Sequence, residues 1–330
     1  MKKMKKIFLF VFLSFALISC KKDTINEPEP EPTTPDPCPS SSCINPDTVY
    51  NISGTGPHLI FKFKFDSTQV RLDNFGLPAT TSTANAAFSP VFNRISAHYI
   101  EMAKYDTTQV GKGKVLYRAP ETECGGSNAI TFCQSITVKE NQTFFAVPIN
   151  QIPPGSYKWL RVSLAYQNYN IPYLSTSTGS VTQWGTVASF VGYKTYLKQY
   201  KIKNTLRIPS AATGGPGNKL QGYWGFETNI STVTYTVDGQ AAGTTVVNPN
   251  PSSPIPAGSC LVTGAFFNNS GGLVMPLTIT GTETSDIIIT VSLSTNKSFE
   301  WKEVNLNGYY EPQSGEFPVD MGIRGMIPKF

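Results

Sequence analysis

The chain has 330 residues, of which 40% are apolar and 15% charged, a composition that excludes a disordered chain and leaves ample material for a core. Its 27 glycines and 25 prolines argue against a protein of long helices, because both residues interrupt helix interiors. A formal net charge of +5 invites a nucleic-acid reading until the charge is located along the chain.

Residues 1–6 read MKKMKK and carry four of the lysines. Ile7 to Leu17 is an apolar run far shorter than the roughly 20 residues that span a bilayer. A basic stretch followed by a short apolar one predicts a signal peptide over residues 1–19. The residues Leu17-Ile18-Ser19-Cys20 resemble the lipobox of bacterial lipoproteins. The resemblance implies that Cys20 is acylated (palmitate in the usual case) and becomes the new N-terminus, so that the lipid bilayer is a partner without a membrane-spanning segment. Lys21 and Lys22, with Asp23 behind them, are similar to the surface-export signal of Bacteroidota lipoproteins. That implies anchoring in the outer membrane and exposure at the cell surface.

Residues 20–47 continue as an acidic, proline-rich tether in which the Glu-Pro repeat of 27–32 favours an extended chain. Beyond Cys20 five cysteines remain, which suits an oxidising compartment. Cys124 and Cys133 flank a turn-rich loop and are expected to form a disulfide. Cys38 and Cys43 could close a small ring in the tether, which would leave Cys260 unpaired, but the odd count leaves the pairing of Cys38, Cys43 and Cys260 open. The cysteines lack C-x-x-C spacing and the chain has two histidines, so no metal site is expected.

From residue 48 the pattern is that of strands. Phe61, Phe63 and Phe65 alternate with Lys62 and Lys64, which places the rings in a core and the lysines in solvent. Further strands are expected at 95–104, 115–118, 129–138 and 143–149. Pro153-Pro154-Gly155 then opens a strand with Trp159, Arg161 and Ser163 on one face and Leu160, Val162, Leu164 and Tyr166 on the other. This short stretch resembles strand openings in many extracellular sandwich modules. Strands follow at 220–227 and 232–237, with Asp238-Gly239 as a hairpin turn signal. The alternation Ile287, Ile289, Val291, Leu293 marks another strand. Short strands between Gly/Pro turns predict an all-β protein of antiparallel β-sandwich architecture. The expected organisation is two packed sandwich-like domains, 48–176 and 177–330.

Motifs for catalysis are missing. There is no G-x-S-x-G and no H-E-x-x-H. His58 and His98 read as structural histidines. The acids Glu300, Glu303, Glu311, Glu316 and Asp320 are the densest group and offer the paired carboxylates of a glycoside hydrolase, the alternative function. Asp320 and Arg324 read as a structural ion pair. No catalytic residue and no cofactor is assigned.

Aromatics beside amides carry the strongest functional signal. Tyr166, Asn168, Tyr169, Tyr173, Trp184 and Trp224 are the candidate ligand-binding residues, since aromatic faces stack on sugars while amides bond hydroxyls, and protein partners use the same residue types. The charge also has a pattern. Residues 141–226 contain no acid and eight bases, whereas 283–320 contain seven acids and two lysines. These observations predict a surface lipoprotein with a non-catalytic binding module for extracellular carbohydrate or a protein partner. A structural envelope lipoprotein is the further alternative, and nucleic acid is not an expected partner.

Overall fold

The computed structural model describes residue 38 and residues 54–73, 77–175, 181–242 and 259–330. The signal peptide, Cys20, Cys43 and most of the tether lie outside the described residues. Cys38–Phe330 forms one compact unit, distinct from Met1–Pro37.

The chain is all-β. In order along it run β1 (His58–Asp66), β2 (Val91–Ala103), β3 (Lys114–Arg118), β4 (Thr143–Pro148), β5 (Trp159–Ser175) and β6 (Val181–Phe190). The short pair β7 (Tyr200–Lys201) and β8 (Leu206–Arg207) follows, then β9 (Tyr223–Ile230), β10 (Val233–Gln240) and β11 (Cys260–Ala265). The chain closes with β12 (Phe267–Asn268), β13 (Leu273–Val274), β14 (Ile287–Ser294), β15 (Phe299–Lys302) and β16 (Met326–Lys329).

The larger two of the six sheets among the described residues have the order β13-β12-β16-β14-β1-β4 and the order β10-β9-β6-β5-β2-β3, the latter with β11 also paired to β5. Pairing is mostly antiparallel; β1 runs parallel to β14, which ties the start of the folded chain to its end. The two sheets pack face to face. Leu59, Phe61 and Phe63 of β1 and Ile289, Val291 and Leu293 of β14 share a core with Ile100 and Met102 of β2 and Leu160, Val162 and Leu164 of β5. Each such side chain contributes about 1.5–3 kcal/mol when fully buried. The alternations seen in β1 and β14 therefore point inward as expected.

β5 is longer than this core requires. Past Ala165 it faces a second apolar cluster, in which Tyr169, Ile171 and Tyr173 meet Phe299, Trp301, Tyr310 and Met321. Two cores thus lie along one face of the same long sheet. The boundary expected at 176/177 falls between β5 and β6, which pair from Val181 opposite Ser175 to Phe190 opposite Tyr166.

Three features differ from the sequence reading. Tyr166 does not share a face with Leu160, Val162 and Leu164: Ser96 and Ala97 pair with Tyr166 and Leu164, so Ala165 is an extra residue that inverts the alternation beyond it. Asp238 and Gly239 lie inside β10 rather than at its turn. The turn sits before Val233, where Ser231 takes a φ of 57°. Asp238 is held in the strand as a buried acceptor, and Gly239 is required there because a Cβ would lie 2.5 Å from the Trp224 ring. Finally, Cys124 bonds Cys38, with their α-carbons 5.4 Å apart. Cys133 is disulfide-bonded as well, but not to Cys124. Sequence spacing favours the nearer cysteine, whereas the fold brings Cys38 of the tether against the Cys124 loop. Cys260 is free and buried.

Candidate functional site

On the side of the long sheet away from the two cores, β5 presents Tyr166, Asn168 and Asn170. Opposite them β2 carries a second bulge: Phe92 pairs with Tyr169 and Arg94 with Asn168, so Asn93 is the extra residue. A bulge re-aims the side chain it inserts. Here it brings Asn93 to the two asparagines of β5. Asn93 Nδ2 donates to Asn168 Oδ1 at 2.9 Å and to Asn170 Oδ1 at 3.2 Å. Asn170 Nδ2 donates back to Asn93 Oδ1 at 3.1 Å, and Thr186 Oγ1 donates to Asn170 Oδ1 at 2.8 Å. Asn168 Nδ2 donates to the Ile202 carbonyl at 2.9 Å and to Tyr166 Oη at 3.2 Å. Each amide has two donors and two acceptor sites. The second Nδ2 hydrogen of Asn170 and the second lone pair of Asn93 Oδ1 remain for a ligand, and both residues are half-buried.

These amides floor a cleft of about 650 Å³, lined also by Phe92, Arg94, Lys139, Glu140, Lys201 and Lys203. That volume falls within the roughly 300–1,000 Å³ range of small-ligand sites. One wall is the 139–140 loop. The other is the β7–β8 hairpin, whose position is set from beneath. Glu227 of β9 is buried and accepts the backbone N–H groups of Lys203 at 2.9 Å, Asn204 at 3.1 Å and Thr205 at 3.0 Å. Asp238 of β10 accepts from Arg207, from Ser210 N–H at 2.9 Å, from Thr213 at 2.7 Å and from the Tyr223 hydroxyl at 3.0 Å. Burial opposes its ionisation, but these bonds prevail and hold its carboxyl well below the usual carboxylate range. Gly225 lets the hairpin sit this close, since a Cβ there would lie 2.2 Å from Tyr200 Oη.

Trp184 extends the same face. Thr186 pairs with Asn170 and Trp184 with Pro172, so the indole lies two residues further along the sheet, about 7 Å. It is 56% exposed. Of the six residues singled out from sequence, Tyr166 and Asn168 therefore line the cleft and Trp184 stands beside it. Tyr169, Tyr173 and Trp224 point through the sheet to the other side. Tyr169 packs on Phe92 and Phe299. The Tyr173 hydroxyl lies 3.0 Å from Thr228 Oγ1, and Trp224 lines a small apolar hollow with Phe226 and Tyr310. Tyr166 is buried, with Phe132 and Phe190 against its ring and its hydroxyl accepting from Asn168.

Asn93, Arg94 and Lys139 were not singled out from sequence, and Asn170, in the same aromatic and amide segment as Asn168, was left out of the candidate binding residues, as were Lys201 and Lys203. Lys201 and Lys203 belong to the acid-free stretch, which was a usable signal. Asn93 had none, because it stands beside Arg94 and two adjacent polar residues do not show which of them is the inserted one.

The acid-rich end is occupied with structure. Glu316 accepts from the N–H groups of Val304 at 3.0 Å and Glu311 at 2.7 Å, while Glu311 accepts from the Asn305 and Asn307 side chains. Both acids are buried, Glu311 at 5% and Glu316 at 3% exposure, which closes them to a substrate. Glu300 pairs with Arg71 at 2.5 Å, and Asp320 pairs with Arg324 as expected. His98 is buried with Nε2 2.7 Å from Glu121. Among the described residues no three His, Cys, Asp or Glu side chains converge as metal ligands.

No protein family model matches the chain, and no curated protein or solved structure matches it either. The functional reading rests on the chemistry of the cleft.

Proposed function

We propose that this chain is a surface lipoprotein whose folded part is a non-catalytic carbohydrate-binding module. The observation that carries the reading is the exposed Trp184 on the same sheet face as the linked amides of Asn93, Asn168 and Asn170. A sugar ring has an apolar face and a rim of hydroxyls. The indole suits the first, and the remaining amide donor and acceptor suit the second. The amide floor is already hydrogen-bonded, so little side-chain freedom is lost on binding.

Binding of the full chain in detergent to a glycan array tests the reading. The expected result is retention of a set of glycans that Trp184→Ala weakens about tenfold or more. An array without hits, or hits indifferent to Trp184→Ala, would remove the carbohydrate half of the proposal. The anchor is tested separately: Cys20→Ala should move the protein from the membrane fraction to the soluble one.

A further inference from the structure

We infer that the cleft takes an acidic glycan, a sugar chain bearing carboxylate or sulfate groups. The inference rests on the carbohydrate reading above and narrows it. Arg94, Lys139, Lys201 and Lys203 bring four cationic side chains to the lining, against the single carboxylate of Glu140. One oxygen of Glu140 accepts the Phe65 N–H at 3.0 Å. Glu227 lies behind the hairpin, buried, with its oxygens facing three backbone N–H groups. Counting both acids still leaves the surroundings positive.

These cations come from three separate parts of the chain: β2, the 139–140 loop and the β7–β8 hairpin. Their convergence is a product of folding and not of one basic run. A concave wall of one sign focuses its field into the cleft. A neutral sugar uses the amide floor and Trp184 but has no use for four cations. An acidic peptide uses the cations but leaves the ordered amides and the neighbouring indole without a role. A charged sugar uses all of them.

The test measures binding of the full chain, in detergent, to four immobilised probes: polygalacturonate, dextran sulfate, neutral dextran and polyglutamate. Both acidic glycans should bind at least tenfold more tightly than dextran at low salt, with the gap closing as salt rises. The double substitution Lys201→Gln with Lys203→Gln should abolish the gap. Lys139→Gln, on the other wall, should narrow it. Trp184→Ala should weaken both acidic glycans. Preference for one acidic glycan over the other identifies carboxylate or sulfate as the group read. Equal binding of dextran and the acidic glycans, unmoved by the lysine substitutions, would overturn the acidic inference and leave the carbohydrate reading intact. Polyglutamate bound as tightly as polygalacturonate, with Trp184→Ala affecting neither, would overturn both readings. Binding to none of the four would overturn the acidic inference, and the glycan array then decides the carbohydrate reading.

Discussion

Glu121 receives His98 Nε2 at 2.7 Å, Arg118 Nη2 at 2.7 Å and Asn128 Nδ2 at 2.7 Å. Burial opposes its ionisation, but the hydrogen bonds from His98, Asn128 and Arg118 outweigh burial and hold its carboxyl down to about 2. A carboxyl depressed in the folded state stabilises the fold above its unfolded pKa, roughly 4.3 for Glu, and loses that contribution as pH falls towards the folded value. Urea unfolding at pH 5, 4 and 3 should therefore show a steep loss of stability in the wild type and a shallower one in Glu121→Gln. Parallel slopes would show that Glu121 does not drive the loss. That His98 is structural was legible, because a chain with two histidines and no nearby nucleophile motif offers it little else. Its partner was not legible, since Glu121 is 23 residues away and reaches it only through the fold.

β5 and the β7–β8 hairpin show what strand alternation can and cannot carry. Period two placed Phe61 and Phe63 correctly, because β1 is regular over those residues. On β5 the same rule fails at Ala165, where one extra residue turns Tyr166, Asn168 and Asn170 to the cleft and Tyr169 and Tyr173 to the core. Both outcomes are aromatic and polar mixtures, so residue type alone did not separate them. The turn of the hairpin, Lys203 to Thr205, is held by the carboxylate of Glu227 beneath it, while Asp238 holds Arg207 of β8. Glu227→Gln puts an N–H group against donors and should cost about 1–3 kcal/mol locally. Hydrogen exchange at the Lys203, Asn204 and Thr205 amides should quicken about tenfold or more, with β1 amides unchanged. Unchanged exchange at those three amides would show that the loop is held by other contacts.

The two cores sit on one continuous sheet, and the Cys38–Cys124 bond fastens Cys38 of the tether to the fold across 86 residues of sequence. Closing so long a loop restricts the unfolded chain, a stabilisation of about 2–4 kcal/mol. Cys38→Ser should lower the unfolding free energy measured in urea by that amount, seen as a lower midpoint. An unchanged midpoint would mean that the bond orients the tether without stabilising the fold.

What the amino-acid order determined by itself was local: the strands of β1 and β14, the Asp320–Arg324 pair and an acid-free stretch that supplies Lys201 and Lys203. Each is set by neighbours within a few residues or by composition, which a linear reading contains. Tertiary structure alone decided that Cys124 meets Cys38, that Glu311 and Glu316 are buried in loop bonds, and that Asn93 meets Asn168 and Asn170. The physical reason is that these contacts depend on sheet order and on bulges. A single inserted residue exchanges the two faces of a strand, and with them core and cleft.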